Sequence, residues 1–237
     1  MAEASGTFTM GEKIRAWSVH AFTATGGFWG LLGLYAAVNQ DWRMVFVWMI
    51  VATFVDAVDG YFARLANVKK VIPHFDGALL DNIIDYFTYV LLPAAVVYLH
   101  PDLMPSWEWA IAAAAIMSMT SGYQFCRTDA KTEDHTFLGF PSYWNIVVMY
   151  LVLLEPNPWV SFGLLALCGI LVFVPIKYAY PSRMLRFQRP TLTMSYVWGA
   201  ILAVAIFMYP AHPVWLVYAS LLFSIYYIGI SLYMMFR

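Results

Sequence analysis

The sequence predicts an all-α polytopic membrane protein of about eight transmembrane helices, a single domain over residues 1–237 with both termini in the cytoplasm. Three observations lead there. Hydrophobic residues make up 62% of the chain and charged residues 11%, whereas soluble domains carry about a quarter charged residues; too little polar surface remains to coat a soluble globule. Several apolar windows reach roughly 18 or more residues, long enough to cross a hydrocarbon core about 30 Å thick as a helix. Basic residues also gather at alternate ends of those windows, the asymmetry that orients membrane proteins.

In chain order the expected spans are 16–38, 42–64, 78–99, 108–126, 140–155, 158–177, 192–210 and 213–236. Lys13 and Arg15 precede the first on the cytoplasmic side. Arg64, Lys69 and Lys70 follow the second, Arg127 and Lys131 the fourth, and Lys177, Arg183, Arg186 and Arg189 the sixth, while Arg237 ends the chain on the same side. Of 13 basic residues only Arg43 falls in an outer loop, and the turns HPDLMPSW, EPNPW and YPAHP carry none. The fifth span is short and flanked by Pro141 and Pro156, but removing it would send the cluster from Lys177 to Arg189 outside. Trp42, Trp107, Trp109, Trp159 and Trp215 lie near the outer ends, as an interfacial aromatic belt requires. Cys126 and Cys168 lack metal-ligand spacing and read as buried thiols. The N-terminus shows no basic, then apolar, then cleavable pattern, so no removable signal peptide is expected. Net charge is −1, which says little about partners.

Chemistry concentrates where the second span ends and the third begins. The stretch DAVDGYFAR carries Asp56, Asp59, Gly60, Ala63 and Arg64, and GALLDNIID carries Gly77, Asp81 and Asp85. Spacings of three and four put each aspartate pair on one helical face. The two helices are antiparallel, so all four carboxylates can meet at one depth near the cytoplasmic side. Each aspartate at bilayer depth costs about 2.5–3.5 kcal/mol on insertion scales, and four together repel. Divalent metal compensates best: all-oxygen ligation favours Mg²⁺, Mn²⁺ or Ca²⁺ over zinc. Four carboxylates suit two ions about 3.5–4 Å apart, the arrangement that clamps an in-line phosphoryl displacement. Gly60, Ala63 and Gly77 would let a bulky ligand approach the helix backbones. One intramembrane aspartate often only pairs helices; four in this register with glycines and an arginine do not fit that reading.

This pattern resembles the signature of the CDP-alcohol phosphotransferases, D-x2-D-G-x2-A-R-(spacer)-G-x3-D-x3-D, matched at Asp56, Asp59, Gly60, Ala63, Arg64, Gly77, Asp81 and Asp85. The spacer, residues 65–76, is twelve residues long and longer than in most members. With the extra spans, and with WSVHAFTATG and GFPSYWNIV, it resembles the bacterial phosphatidylcholine synthase branch, the CDP-diacylglycerol–choline O-phosphatidyltransferases. The resemblance implies a CDP-alcohol phosphotransferase-like bundle in the bacterial inner membrane, with its active site near the cytoplasmic face. It implies two divalent cations, Mn²⁺ or Mg²⁺, held by Asp56, Asp59, Asp81 and Asp85. Asp85 would also be the general base for the choline hydroxyl, and Gly60, Ala63, Arg64 and Gly77 would bind CDP-diacylglycerol. It further implies CMP as leaving product, membrane lipids but no nucleic acid as partners, and a homodimer.

Choline's quaternary ammonium cannot donate hydrogen bonds and suits aromatic faces. Tyr89, one turn beyond Asp85, and Trp144 are the candidates, with Tyr86 and Tyr143 nearby; core packing is the competing role for each. Arg183 and Arg186 either hold lipid phosphate or only set orientation. His20, with Thr23 close by, either faces the diphosphate or packs against a neighbouring helix. Asp76 reads first as a helix N-cap, and the loop KTEDH as solvated surface. Two other functions stay open at this point. One is the same transfer to serine, glycerol phosphate or inositol phosphate; the other is a cation transporter, which would gain nothing from the glycine and arginine positions.

Overall fold

A computed structural model of the chain describes residues 8–130, 132, 136–181, 184 and 187–235. The first helix, α1 (Met10–Val38), starts in a capping box: the Glu12 backbone N–H donates to the Thr9 hydroxyl at 3.2 Å and the Thr9 N–H donates to the Glu12 carboxylate at 2.8 Å. Asp41 caps α2 (Trp42–Leu65) by accepting from the Met44 N–H at 3.1 Å. A single turn, α3 (Val68–Val71), leads to α4 (Gly77–Asp85), which Asp76 caps by accepting from the N–H groups of Ala78 and Leu79, both at 3.0 Å. The rod continues through a π-helical segment, Tyr86–Leu91, into α5 (Leu92–Leu99). Then come α6 (Trp107–Cys126), β1 (Thr136–Leu138), α7 (Trp144–Leu154), α8 (Pro158–Leu171), β2 (Lys177–Ala179), α9 (Gln188–Met208) and α10 (Val214–Met235).

Helices thus run through every expected stretch. Among the described residues, five rods are long and apolar enough to cross a membrane: α1, α2, the continuous Gly77–Leu99, α9 and α10. Large apolar side chains such as Tyr35, Phe54, Met119, Phe207 and Ile225 are exposed on the outside, the surface that lipid rather than water covers. α6 is long but carries Glu108, Gln124 and several hydroxyls. α7 has 11 residues and α8 has 14. The fifth stretch, expected over 140–155, is helical only from Trp144. The sixth, expected to reach residue 177, stops at Leu171, because Pro175 disfavours helix before it and the Leu171 carbonyl instead accepts from the Phe140 N–H at 3.0 Å. The seventh begins earlier than expected, at Gln188. Cys126 is exposed at the end of α6, not buried as expected, whereas Cys168 is buried.

Two strands interrupt the helical pattern. β1 and β2 pair antiparallel with Thr136 opposite Ala179, Phe137 opposite Tyr178 and Leu138 opposite Lys177. The pairing runs on through Gly139, whose N–H donates to the Ile176 carbonyl at 2.9 Å. Gly139 has φ +81° and a Cβ there would collide with the Val172 carbonyl, so glycine is required. These strands join the α6–α7 and α8–α9 connections into one roof over that end of the bundle.

The core centres on α7, where Trp144, Val148 and Val152 are fully buried beside Phe46 of α2, Val90 and Leu92 of the third rod, and Met117 of α6. On the other side α1 lies along α2 and faces the third rod with glycines. A Cβ on Gly26 would come 2.7 Å from Ile84, and one on Gly30 would come 2.7 Å from Phe87 and 3.0 Å from Thr88. Such small-residue faces bring helix backbones together in membranes. Gly30→Ala should therefore lower the thermal midpoint in detergent by the equivalent of about 1–3 kcal/mol of overpacking. Gly163→Ala, with nothing within 4 Å of its Cβ, should not lower it. Equal midpoints for the two variants would show that the α1 glycines do not set this contact.

Candidate active site

Within α2 the residues Asp56 and Asp59 are three apart, and about 60° of helical rotation separates them. That offset divides them. Asp56 turns toward the third rod, where Asp81 and Asp85 leave α4, and each of these three offers a carboxylate oxygen within 4.8 Å of the others. Asp59, only 7% exposed, instead lies beside Thr23 of α1 and stands outside the group of three. The four aspartates of the sequence pattern are therefore a triad and a neighbour on its α1 side.

Two unit charges 4.8 Å apart repel by about 3 kcal/mol at an effective dielectric near 20. A charge-assisted hydrogen bond is worth about 1.5–3 kcal/mol. The Tyr89 hydroxyl makes a bond of this kind to Asp56 Oδ2 at 2.8 Å. It cannot offset the repulsion of three carboxylates, whereas a divalent cation can. The donor set, all carboxylate oxygen, fits a hard ion such as Mg²⁺ or Mn²⁺.

The π-helical segment that starts directly after Asp85 shapes this corner. Its wider turn is closed by the Leu92 N–H donating to the Phe87 carbonyl, five residues back. Pro93, which has no N–H to offer an α-helical ladder, follows at once. π-bulges are frequent at functional sites, and here the bulge carries Tyr89 against Asp56. Pro93 inside an apolar span is the local sign of it that the sequence reading did not use.

The triad lines one side of a cavity of about 290 Å³. Facing it are Gln124 and Arg127 from the end of α6, then Phe137, Tyr143 and Tyr180 around the strand roof. Arg127 is held in place on several sides. Its Nε and Nη2 donate to the two Asp129 oxygens at 2.9 and 2.8 Å, and its Nη1 donates to the Leu138 carbonyl at 3.3 Å. Hydrogen bonding within this pair holds the Asp129 carboxyl below the usual carboxylate range and raises the Arg127 guanidinium further. Gln124 Nε2 also donates to the Leu138 carbonyl, at 3.0 Å. Sequence reading placed Arg127 only as an orientation signal and missed Gln124, Phe137 and Tyr180. Their place depends on pairing between strands forty residues apart, for which the sequence holds no local sign.

The remaining sequence candidates are distributed unevenly. Tyr89 lines the cavity. Trp144 does not: it is fully buried, its indole N–H donates to Ser121 Oγ at 2.6 Å, and its ring meets Phe140 edge-on at 5.0 Å. It is a core residue, and its neighbour Tyr143 faces the cavity instead. Gly60, Ala63, Arg64 and Gly77 do not line this cavity. Ala63 packs with Ala16 and Val19 of α1, and a Cβ on Gly77 would press on the His20 ring, 3.1 Å from Nδ1. Arg64 is exposed, reaching back over Gly60. His20 is buried, with no hydrogen-bond partner at Nε2. Asp59, Thr23, His20, Ala63 and Gly77 thus gather on the α1 side, and the triad's cavity opens on the α6 side. Arg183, Arg186, Arg237 and most of the loop KTEDH lie outside the described residues.

No protein-family model matches the chain. It is similar to several curated proteins, each named phosphatidylcholine synthase. One from Legionella pneumophila is 44% identical over 177 residues, 75% of this chain and 69% of that protein. One from Mesorhizobium japonicum is 43% identical over 194 residues, covering 82% and 72%. One from Pseudomonas aeruginosa is 34% identical over 222 residues, covering 94% and 92%.

Proposed function

The chain belongs to the phosphatidylcholine synthase family, and from that membership we infer that it transfers the phosphatidyl group of CDP-diacylglycerol to choline and releases CMP. The observation that carries the reading is the convergence of Asp56, Asp81 and Asp85 at the wall of one cavity. Those three, with Asp59 as the fourth ligand, would hold two divalent cations, Mn²⁺ or Mg²⁺. When bound, the ions supply positive charge to the diphosphate and to the transferring phosphoryl group. Asp85 takes the proton from the choline hydroxyl. The hydroxyl oxygen then bonds to the phosphorus that bears diacylglycerol, and the bond from that phosphorus to the CMP oxygen breaks, the electron pair leaving with CMP.

Gly60, Ala63, Arg64 and Gly77 serve the CDP portion of the donor, a reading supported by Ala63 packing on α1 and by Gly77 lying against the buried His20, whose Nε2 has no hydrogen-bond partner. Choline then approaches from the α6 side. Arg183 and Arg186 are assigned to lipid phosphate. The eight-span topology, with cytoplasmic termini in the bacterial inner membrane, rests on charge placement. At the weakest point, the fifth stretch is a helix that rises about 16 Å, preceded by the non-helical residues 140–143. Phe140 and Ser142 are buried, the condition under which irregular backbone is tolerated at membrane depth. A homodimer completes the proposal by family resemblance.

An acceptor screen tests the reaction. Purified protein in detergent with CDP-diacylglycerol and Mn²⁺ or Mg²⁺ should release CMP with choline, and not with serine, glycerol phosphate or inositol phosphate. CMP release with serine and none with choline would make the acceptor assignment wrong.

A further inference from the structure

We propose that four aromatic side chains, Tyr89, Tyr143, Phe137 and Tyr180, form the subsite that takes the quaternary ammonium of the acceptor, with Tyr143 and Phe137 at its corner. The inference rests on the choline reading above and names the residues that make the acceptor specific.

The four rings line the same cavity as Asp56, Asp81 and Asp85 and run as a continuous wall away from them. Tyr89 and Tyr143 lie 6.5 Å apart between centroids at 49°; Tyr143 and Phe137 lie 6.2 Å apart at 83°; Phe137 and Tyr180 lie 4.6 Å apart at 30°. Rings nearly perpendicular at such a spacing leave a corner in which one cation sits within about 6 Å of both centroids, the range of a cation–π contact. A trimethylammonium group needs this kind of site because it has no N–H to donate, and aromatic cages are the recurrent solution.

Two further features favour a cation there. Tyr89 donates its hydroxyl proton to Asp56 at 2.8 Å, which leaves its ring richer in electrons. Arg127, the basic residue among the described side chains that line the cavity, is engaged along its Nε–Nη2 edge by both Asp129 oxygens, and its Nη1 donates to the Leu138 carbonyl. Its charge is thereby compensated, and its donors are turned from an incoming anion. Among the described residues, a phosphorylated alcohol would find no uncommitted guanidinium at this wall. The rings also lie on the side of the triad opposite the α1-facing glycines. Choline's hydroxyl is two carbons from its nitrogen, so an ammonium seated in the corner places the hydroxyl between the rings and the carboxylates.

The experiment compares choline with 3,3-dimethylbutan-1-ol, its neutral isostere with carbon in place of the ammonium nitrogen. The full chain in detergent receives CDP-diacylglycerol and Mn²⁺. The wild type should prefer choline in kcat/KM, and Tyr143→Leu and Phe137→Leu should each reduce that preference by about tenfold, with the KM for CDP-diacylglycerol changed by less than about twofold. Tyr143→Phe, which keeps the ring, should retain more of the preference than Tyr143→Leu. Loss of folding would lower turnover on both alcohols together and leave their ratio, so the ratio reports the subsite. Tyr180→Leu provides a second position less central to the fold. In parallel, saturation-transfer NMR with tetramethylammonium should show binding to the wild type that weakens in both leucine variants. An unchanged alcohol ratio in all three leucine variants, with choline still turned over, would overturn the subsite and leave the enzyme reading intact. Ring-dependent tetramethylammonium binding without CMP release from choline would do the reverse. Absence of both would remove both.

Discussion

Asp85→Asn should lower kcat for CMP release from choline and CDP-diacylglycerol by about 10²–10⁴-fold, the range over which a positioned general base contributes. That corresponds to roughly 3–5.5 kcal/mol on the barrier. The variant should remain folded. Asp85 is only partly buried and sits among carboxylates within 4.8 Å, so replacing one charge by an isosteric amide relieves repulsion of about 3 kcal/mol per pair. In chelator its thermal midpoint should therefore equal or exceed that of the wild type. Excess Mn²⁺ separates the two roles assigned to Asp85. If the residue is the base as well as a ligand, added Mn²⁺ should partly restore Asp81→Asn but leave Asp85→Asn inactive. Near-normal turnover in Asp85→Asn would remove it as the base.

Metal removal should have the second large effect. EDTA should abolish CMP release, and Mg²⁺ or Mn²⁺ should restore it. Because the ion binds the folded arrangement of carboxylates and not the scattered one, loading should also raise the thermal midpoint, by the equivalent of about 2.7 kcal/mol at a hundred times Kd. Asp56→Asn should shrink that increment, since Asp56 belongs to the triad. Asp59→Asn is the informative variant, because Asp59 lies beside Thr23 and apart from the other three. A smaller metal-dependent increment in Asp59→Asn supports its assignment as the fourth ligand; an unchanged one limits the metal set to the triad. A midpoint indifferent to metal in the wild type would sink the two-ion reading altogether.

Much of this protein was legible without coordinates. The helical stretches, the cap at Asp76, and the shared helical face of Asp81 and Asp85 follow from apolar run length and from the three- and four-residue periodicity of a helix. Those are local rules, and each acts within one or two turns. The separation of Asp59 from the triad was not legible, although its spacing is known, because a 60° offset can face either the same neighbour or a different one. Which occurs depends on where α1 packs, and that is set by contacts such as Gly30 on Phe87. Trp144 illustrates the same limit. The sequence reading favoured it over its neighbour Tyr143 as a choline-site aromatic, and packing against Ser121 and Phe140 put Trp144 in the core.

By itself, the sequence determined that the chain is a helical membrane protein with a carboxylate site at the junction of its second and third spans, and it pointed to CDP-linked chemistry. Those conclusions rest on composition, on run length and on a motif confined to residues 56–85. Tertiary structure alone decided which aspartates meet, and it alone built the aromatic wall opposite them. Phe137 and Tyr180 come together only because the α6–α7 and α8–α9 connections pair as strands, and the free energy of that pairing belongs to contacts between segments distant in the chain.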